Sequence, residues 1–180
     1  MWRESPRGTL PFDPANCLTF GAGTLNGIAQ SGAGKWATTG ICPSIYMNAG
    51  SAATASFGIE MKAAGYDAIV VTGRAEKPVY LVVDDDRAVL KGASRLWGKD
   101  AYEAEDAIHA TEGDNYEVLS IGQAAERGVR FANIQTRKKS YCGRSGMGAI
   151  VGSKLLKAVA IRGSQKLKYD DSSELNKRTK

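Results

Sequence analysis

Two stretches of this chain carry the residue types from which an anion site is made. RKKSYCGRSGMGAIVGSK, residues Arg137–Lys154, sets Arg137, Lys138, Lys139 and Arg144 around and ahead of Gly146, Gly148 and Gly152, and SGAGKW, residues Ser31–Trp36, ends a glycine-rich turn on a lysine. Cationic side chains make charge-assisted hydrogen bonds to phosphate oxygens, and a loop that turns into a short helix presents free amides to the same ligand. That chemistry is binding, not bond breaking. The same glycines admit a second reading, in which they let a short helix lie tight against a sheet while the cations stand in water. The residues alone leave both readings open.

Neither loop is a nucleotide signature. Lys35 is followed by Trp36, and Ser153 separates Gly152 from Lys154, whereas a Walker loop requires Gly-Lys-[Ser/Thr] at fixed spacing. GMGAIVG has the wrong spacing for a dinucleotide fingerprint and is entered from a basic polar loop instead of a strand. ATP and NAD binding are therefore not expected. The single histidine, His109, sits among Glu105, Asp106 and Glu112 and reads as a solvated helix residue. Cys17, Cys42 and Cys142 lack the spacing of a zinc or iron–sulfur site, so no cluster is expected on this chain. The acidic run Asp84–Asp86 lacks the alternating ligands and distal glutamate of a calcium loop and reads as a hairpin tip. No residue here is assigned a catalytic or metal-ligating role.

The elements that must position these loops are legible in part. FGIEMKAAGYDAIVVTG predicts a short helix from Phe57, a stop at Gly65 and a buried strand Ala68–Val71. KPVYLVVDDDRAVLKG predicts an antiparallel hairpin with strands Val79–Val83 and Ala88–Lys91. Asp100, with Glu103 three residues on, predicts a capping box at the start of a second helix. EVLSIG, VRFANIQ and KAVAIRG are three further strand candidates. Strands outnumber helices, and hairpins mix with crossovers, so the expected class is α+β.

With 180 residues, 43% of them hydrophobic, the chain is long enough for one domain with a real core. Its 21 glycines end apolar runs without a fixed period, which implies many tight turns. The net charge of +5 is partly carried by the polar tail after Gly163, read as a solvated or partner-docking segment over 164–180. Basic residues are not interleaved with aromatics along a strand, so a nucleic-acid partner is not expected. Odd, unpaired cysteines without an apolar leader point to a reducing cytoplasm, and no apolar run reaches the ~20 residues a membrane span needs.

Several stretches taken in order, PFDPANCLTFGAGTLNG, FGIEMKAAGYDAIVVTGRAEKPVYLVVDD, ASRLWGKDAYEAED, SIGQAAERGVRFANI and GRSGMGAIVGSKLLKAVAIRG, resemble the N-terminal domain of the aldehyde:ferredoxin oxidoreductase family. The resemblance runs from about Pro11 to Gly163. It implies an α+β domain, placed at 1–163, of two intertwined mixed or antiparallel sheets with short helices, lacking the opening strand that the family normally has before PFDP. It also implies that this domain clasps a tungsten (or molybdenum) bis-pyranopterin with a bridging magnesium. A 4Fe-4S cluster and the substrate channel would belong to later domains, absent here or supplied by a separate subunit.

Carried over residue by residue, the family's cofactor loops fall on Gly34, Lys35, Ala52, Ala53, Thr54, Ser140, Tyr141, Gly143 and Arg144. Several depart from the family pattern. Ala33-Gly34-Lys35 stands where Gly-Gly-Arg is usual, keeping the charge but losing the planar fork. Ala52-Ala53-Thr54-Ala55 replaces Asn-Ser-Gly-Gly, removing a side chain that helps hold the magnesium, with Asn48 nearby as a substitute only if the loop shifts. Ser140 stands where an arginine is common, and Tyr141 where a small residue packs on the pterin. The resemblance implies an oxidoreductase component that oxidises aldehydes to carboxylic acids with ferredoxin as electron acceptor. The alternative is a cofactor-less remnant or interaction subunit that kept the fold. Either way, a face that normally packs against cofactor and helical domains implies self-association or a complex with the completing part.

Overall fold

The computed structural model describes residues 5–27, 34–165, 174 and 177, so Ser31–Ala33 and most of the 164–180 tail lie outside the described residues. Two sheets make up the fold. The first has strand order β3-β2-β1-β4, from β1 (Leu18–Ala22), β2 (Lys35–Ile41), β3 (Asn48–Thr54) and β4 (Ala68–Val71), all pairs antiparallel. The second has order β6-β5-β10-β7-β8-β9, from β5 (Val79–Asp84), β6 (Arg87–Gly92), β7 (Glu117–Ser120), β8 (Ile134–Thr136), β9 (Ser140–Cys142) and β10 (Leu156–Arg162). It is mixed, because β10 returns parallel to β5 and antiparallel to β7. The class is α+β, as the sequence implies.

Four helices are bounded within the described residues: α1 (Phe57–Ala63), α2 (Ala101–Glu112), α3 (Gln123–Glu126) and α4 (Met147–Ser153). Phe57 and Met61, four residues apart, put one apolar face of α1 into the core, and Gly65 at φ 89° ends the turn. There Phe57 meets Phe20 and Trp36, with ring centroids 5.2–6.3 Å apart. This aromatic cluster joins Leu119, Ile134, Ile150, Val159 and Ile161 of the second sheet and α4 in one core. A second core, around Tyr80, Ile108, Val118 and Ala160, lies under α2 on the other face of the second sheet. β10 therefore faces apolar groups on both sides, which is why KAVAIRG reads as a continuous buried run.

The capping box forms: Asp100 Oδ1 accepts from Glu103 N at 2.8 Å, and Glu103 Oε2 accepts from Asp100 N at 3.0 Å. Asp100→Ala is expected to cost about 1 kcal/mol, which in a chain of this size lowers Tm by ~2–4 °C. Thermal unfolding checks it, and an unchanged Tm would show that the cap carries no stability.

The expected VRFANIQ strand is shorter than its apolar pattern suggests. Only Ile134–Thr136 pairs, because Gly128 at φ 70° and the Ala132 N–Val129 O turn at 2.9 Å hold the preceding residues in a tight loop after α3. Among the described residues, no helix is long and apolar enough to cross a membrane.

Candidate functional site

The pairing register sorts the first sheet into two unlike faces. Leu18, Phe20, Trp36, Thr38, Ser51 and Ala53 point into the core. The opposite face consists of the pair Ile41–Asn48, the row Val70–Thr19–Thr39–Gly50, the row Ala68–Gly21–Ala37–Ala52, and the pair Lys35–Thr54. Across β1, β2 and β3 this face carries nothing larger than threonine between the Ile41–Asn48 pair at one end and Lys35 at the other. A surface of that kind is flat enough to accept a planar group.

At the Lys35–Thr54 end the face runs into a cleft of about 610 Å³ lined by Gly34, Thr54, Ala55, Ser56, Ile59, Arg137, Lys139 and Ser140. The two sheets are tied together here. Thr54 N donates to Ser140 Oγ at 3.2 Å, Arg144 N to Ser51 Oγ at 3.2 Å, and Ser145 Oγ to Gly50 O at 3.1 Å. Arg137–Lys139 is the loop of the β8–β9 hairpin, with Arg137 and Lys138 at φ 52° and 51°. Lys138 turns away to Asp106 on α2. Arg137 Nη1 donates to Ser56 Oγ at 3.1 Å, and its Nε lies 3.3 Å from Glu117 Oε1. Burial pushes the Glu117 carboxyl above the usual carboxylate range, outweighing the nearby Arg137 charge.

Structure thus separates the two readings of the glycine-rich loop. A Cβ on Gly146, Gly148 or Gly152 would fall 1.9 Å from Arg130 O, 2.3 Å from Asn133 O or 2.1 Å from Ala125 O. The first-turn amides of α4 are engaged within the chain, Gly148 N to Ala132 O at 3.0 Å and Ala149 N to Gly146 O at 3.1 Å. These glycines serve close packing. The anion chemistry available lies upstream, in the hairpin loop.

Of the residues carried over from the family pattern, Gly34, Thr54 and Ser140 line the cleft. Lys35 and Ala52 stand on the flat face beside it, while Ala53 points inward opposite Trp36. Tyr141 is exposed at the cleft's far hairpin strand and its hydroxyl meets that of Tyr102, which holds the Tyr141 phenol above its ordinary range. Gly143 and Arg144 are exposed in the turn after β9. Asn48, at the opposite end of β3, lines a separate hollow with Leu10, Cys17 and Tyr46 and takes no part in the cleft. Cys142 is buried beneath this region, and burial pushes its thiol up to about 12. Among the described residues no group of three His, Cys, Asp or Glu side chains is placed to hold a metal ion.

Sequence reasoning missed Ser56 and Ile59 as cleft residues, and Thr19, Gly21, Ala37, Thr39 and Gly50 as face residues. The signal was present for the face: between the Ile41–Asn48 and Lys35–Thr54 ends, KWATTGI and NAGSAAT place only Gly, Ala and Thr at outward positions.

The family model for the aldehyde ferredoxin oxidoreductase N-terminal domain matches residues 1–163. The tungsten-containing aldehyde ferredoxin oxidoreductases of Pyrococcus abyssi and Thermococcus kodakarensis are 37% and 39% identical over 165 residues, 91% of this chain and 27% of either protein. An aliphatic sulfonate oxidoreductase WOR-like subunit from Pyrococcus furiosus is 37% identical, over 28% of its length. Among solved structures, the active-site complex BamBC of benzoyl coenzyme A reductase, bound to 1,5-dienoyl-CoA, matches at a TM-score of 0.89 and 35% identity, covering 92% of this chain and 25% of that one. The chain spans about a quarter of the length of the relatives it matches.

Proposed function

From the premise that this chain belongs to the aldehyde ferredoxin oxidoreductase family, as its N-terminal domain, we propose that it is the cofactor-clasping part of a tungsten bis-pyranopterin oxidoreductase. The single observation that carries this reading is the flat face of Gly, Ala and Thr side chains running directly into a cleft with two cations. The face suits the planar rings of a pterin. The cleft suits its anionic end. The residues present fit such a group; Ala52 offers no side-chain oxygen, so the hydroxyls of Thr54, Ser56 and Ser140 are the side-chain oxygens that would hold a magnesium there.

When bound, the metal centre supplies the redox chemistry by which an aldehyde becomes a carboxylic acid with ferredoxin as electron acceptor; the protein supplies placement and electrostatics. In this chain Gly21, Ala37 and Ala52 allow close approach, and Lys35 sets a positive charge at the rim. The relatives' names span aldehyde, sulfonate and acyl-CoA substrates, so substrate choice, the 4Fe-4S cluster and the ferredoxin contact fall to the remaining three-quarters of the family length. That remainder is a downstream region or a separate subunit, and it covers the face that would otherwise be open.

The test is expression of the chain together with the polypeptide that completes the family length, in tungstate-supplemented cells, followed by metal and pterin analysis. Tungsten and pterin are expected to copurify. Ala37→Trp, on the exposed centre of the flat face, is expected to lose most of both while Tm stays within ~1 °C, since exposed substitutions seldom move stability by more than about 0.5 kcal/mol. A folded complex free of tungsten, molybdenum and pterin would overturn the reading in favour of a cofactor-less subunit.

A further inference from the structure

The two sheets have four edge strands, β3, β4, β6 and β9. β3 and β9 cover one another, through Thr54 N to Ser140 Oγ, Arg144 N to Ser51 Oγ and Ser145 Oγ to Gly50 O. β6, RAVLKG, carries Arg87 and Lys91, and charges of this kind keep an exposed edge from pairing. β4 has no such device. Its AIVV holds no charge, proline or glycine, and among the described residues no strand pairs with its outer side.

The ladder with β1 fixes which backbone groups that outer side offers. Ala22 N donates to Asp67 O at 2.9 Å, so the bonded pairs of this antiparallel ladder are Ala22–Asp67, Phe20–Ile69 and Leu18–Val71. The alternate residues Ala68 and Val70 therefore turn their N–H and C=O groups to the open edge. Val70 is 53% exposed, while Ile69 and Val71 pack against the core. One side of the strand is held, and the other is set to pair.

The flanks of β4 specify what fits there. Asp67, its side chain 84% exposed, precedes the strand, and the exposed Arg74 follows it. A copy of β4 laid antiparallel brings each acidic flank toward a basic one, whereas a parallel copy sets like against like. With a two-fold axis at Val70, open-edge residues meet in register: Val70 faces Val70 of the second copy, and Ala68 faces its Thr72. Such an arrangement is self-complementary, as a two-fold interface must be.

We propose that β4 is a self-pairing edge, through which two copies of this chain join antiparallel about a two-fold axis at Val70 and merge two four-stranded sheets into one of eight. That axis stands normal to the sheet, so both flat faces stay open on the same side. The pairing is therefore independent of the cofactor-clasp reading. A strand edge of this length buries less than the ~1,200 Å² of a stable interface, which makes the dimer reversible and its population concentration-dependent.

Sedimentation velocity of the 180-residue chain, over a wide range of concentration, is expected to show a monomer–dimer equilibrium. Hydrogen-exchange protection of the Ala68 and Val70 amides is expected to rise as the dimer forms. Val70→Lys and Val70→Glu, each setting like charges across the axis, are expected to weaken dimerisation by ~5-fold or more. Mixing the two variants is expected to restore it, which only residues facing each other can do. Val70→Pro removes the outward N–H without touching the β1 ladder and is expected to abolish the dimer with Tm retained. Leu90→Lys on β6, at a position 62% exposed, is expected to leave the equilibrium unchanged. A monomer at every concentration, wild-type dimerisation in Val70→Lys and Val70→Pro, or a mixture that fails to pair overturns the proposal. Protection of the Ala68 and Val70 amides that does not vary with concentration also overturns it, and assigns the edge to another segment of the same chain.

Discussion

Gly148→Ala and Gly152→Ala are each expected to destabilise the chain by about 3 kcal/mol or more, at the upper end of overpacking costs. The Cβ added at Gly148 would lie 2.3 Å from Asn133 O and 2.7 Å from Asn133 C, and that at Gly152 would lie 2.1 Å from Ala125 O. Those neighbours are backbone and cannot swing aside as a side chain can. Relief requires α4 to move off the α3-to-β8 segment, which opens the core around Ile150. The sign discriminates, because alanine in a helix is otherwise about 1 kcal/mol better than glycine. Were the glycines there for ligand approach alone, the same substitutions would raise Tm. Destabilisation of this size lowers Tm by ~6–12 °C. Gly143→Ala is the control, since its Cβ would meet nothing within 4 Å. Wild-type melting for Gly148→Ala and Gly152→Ala would return the loop to the cradle reading.

The second sheet was largely legible because its strands are apolar and its turns carry recognisable grammar. Val79–Asp84 and Arg87–Gly92 pair as expected, and Asp85 takes the positive φ of 49° at the hairpin tip. Of the first sheet only β4 (Ala68–Val71) was, and it lies half-exposed at the sheet edge instead of buried as expected. KWATTGI and NAGSAAT are built mainly from Gly, Ala, Ser and Thr, which have little strand propensity apart from threonine, and their inward positions are held by few large side chains besides Trp36. A strand whose outer face must be flat cannot advertise itself by bulky β-branched residues. The property that suits the face to a planar ligand is the one that hides the strand from pattern reading.

The site divides in the same way. Family resemblance placed Gly34, Thr54 and Ser140, and the structure gathers them in one cleft. It also assigned Ala53, which the two-residue period of β3 turns into the core. Resemblance reads a loop as a block, whereas a strand sends alternate residues to opposite faces. Ser56 and Ile59 enter the cleft only because β8–β9 folds across the start of α1, a tertiary juxtaposition over about eighty residues of chain that spacing does not encode.

Glu126→Ala is expected to be the costliest single change to a charged residue, at about 3–5 kcal/mol, the usual penalty for stranding a buried charge. Lys157 is fully buried on β10. Its ammonium donates to Lys99 O at 2.8 Å and to Glu126 Oε1, while Glu126 Oε2 accepts from Gly98 N at 2.9 Å. With the carboxylate gone, the ammonium keeps a single carbonyl, and the turn before α2 loses an acceptor for its Gly98 amide. Tm is expected to fall on the order of 10 °C. Lys157→Met alone is expected to cost less, because methionine refills the volume and Glu126, whose side chain is only 5% exposed, still accepts from the Gly98 amide. The paired change Glu126→Leu with Lys157→Met is expected to recover most of the loss, since replacing a buried ion pair by apolar groups of similar volume is often neutral or stabilising. Additive losses in the double variant would show that the pair is not the unit of stability. Recovery would show that β10 needs its buried lysine only so long as Glu126 is there to hold it, and that the central strand of the second sheet is secured by apolar packing.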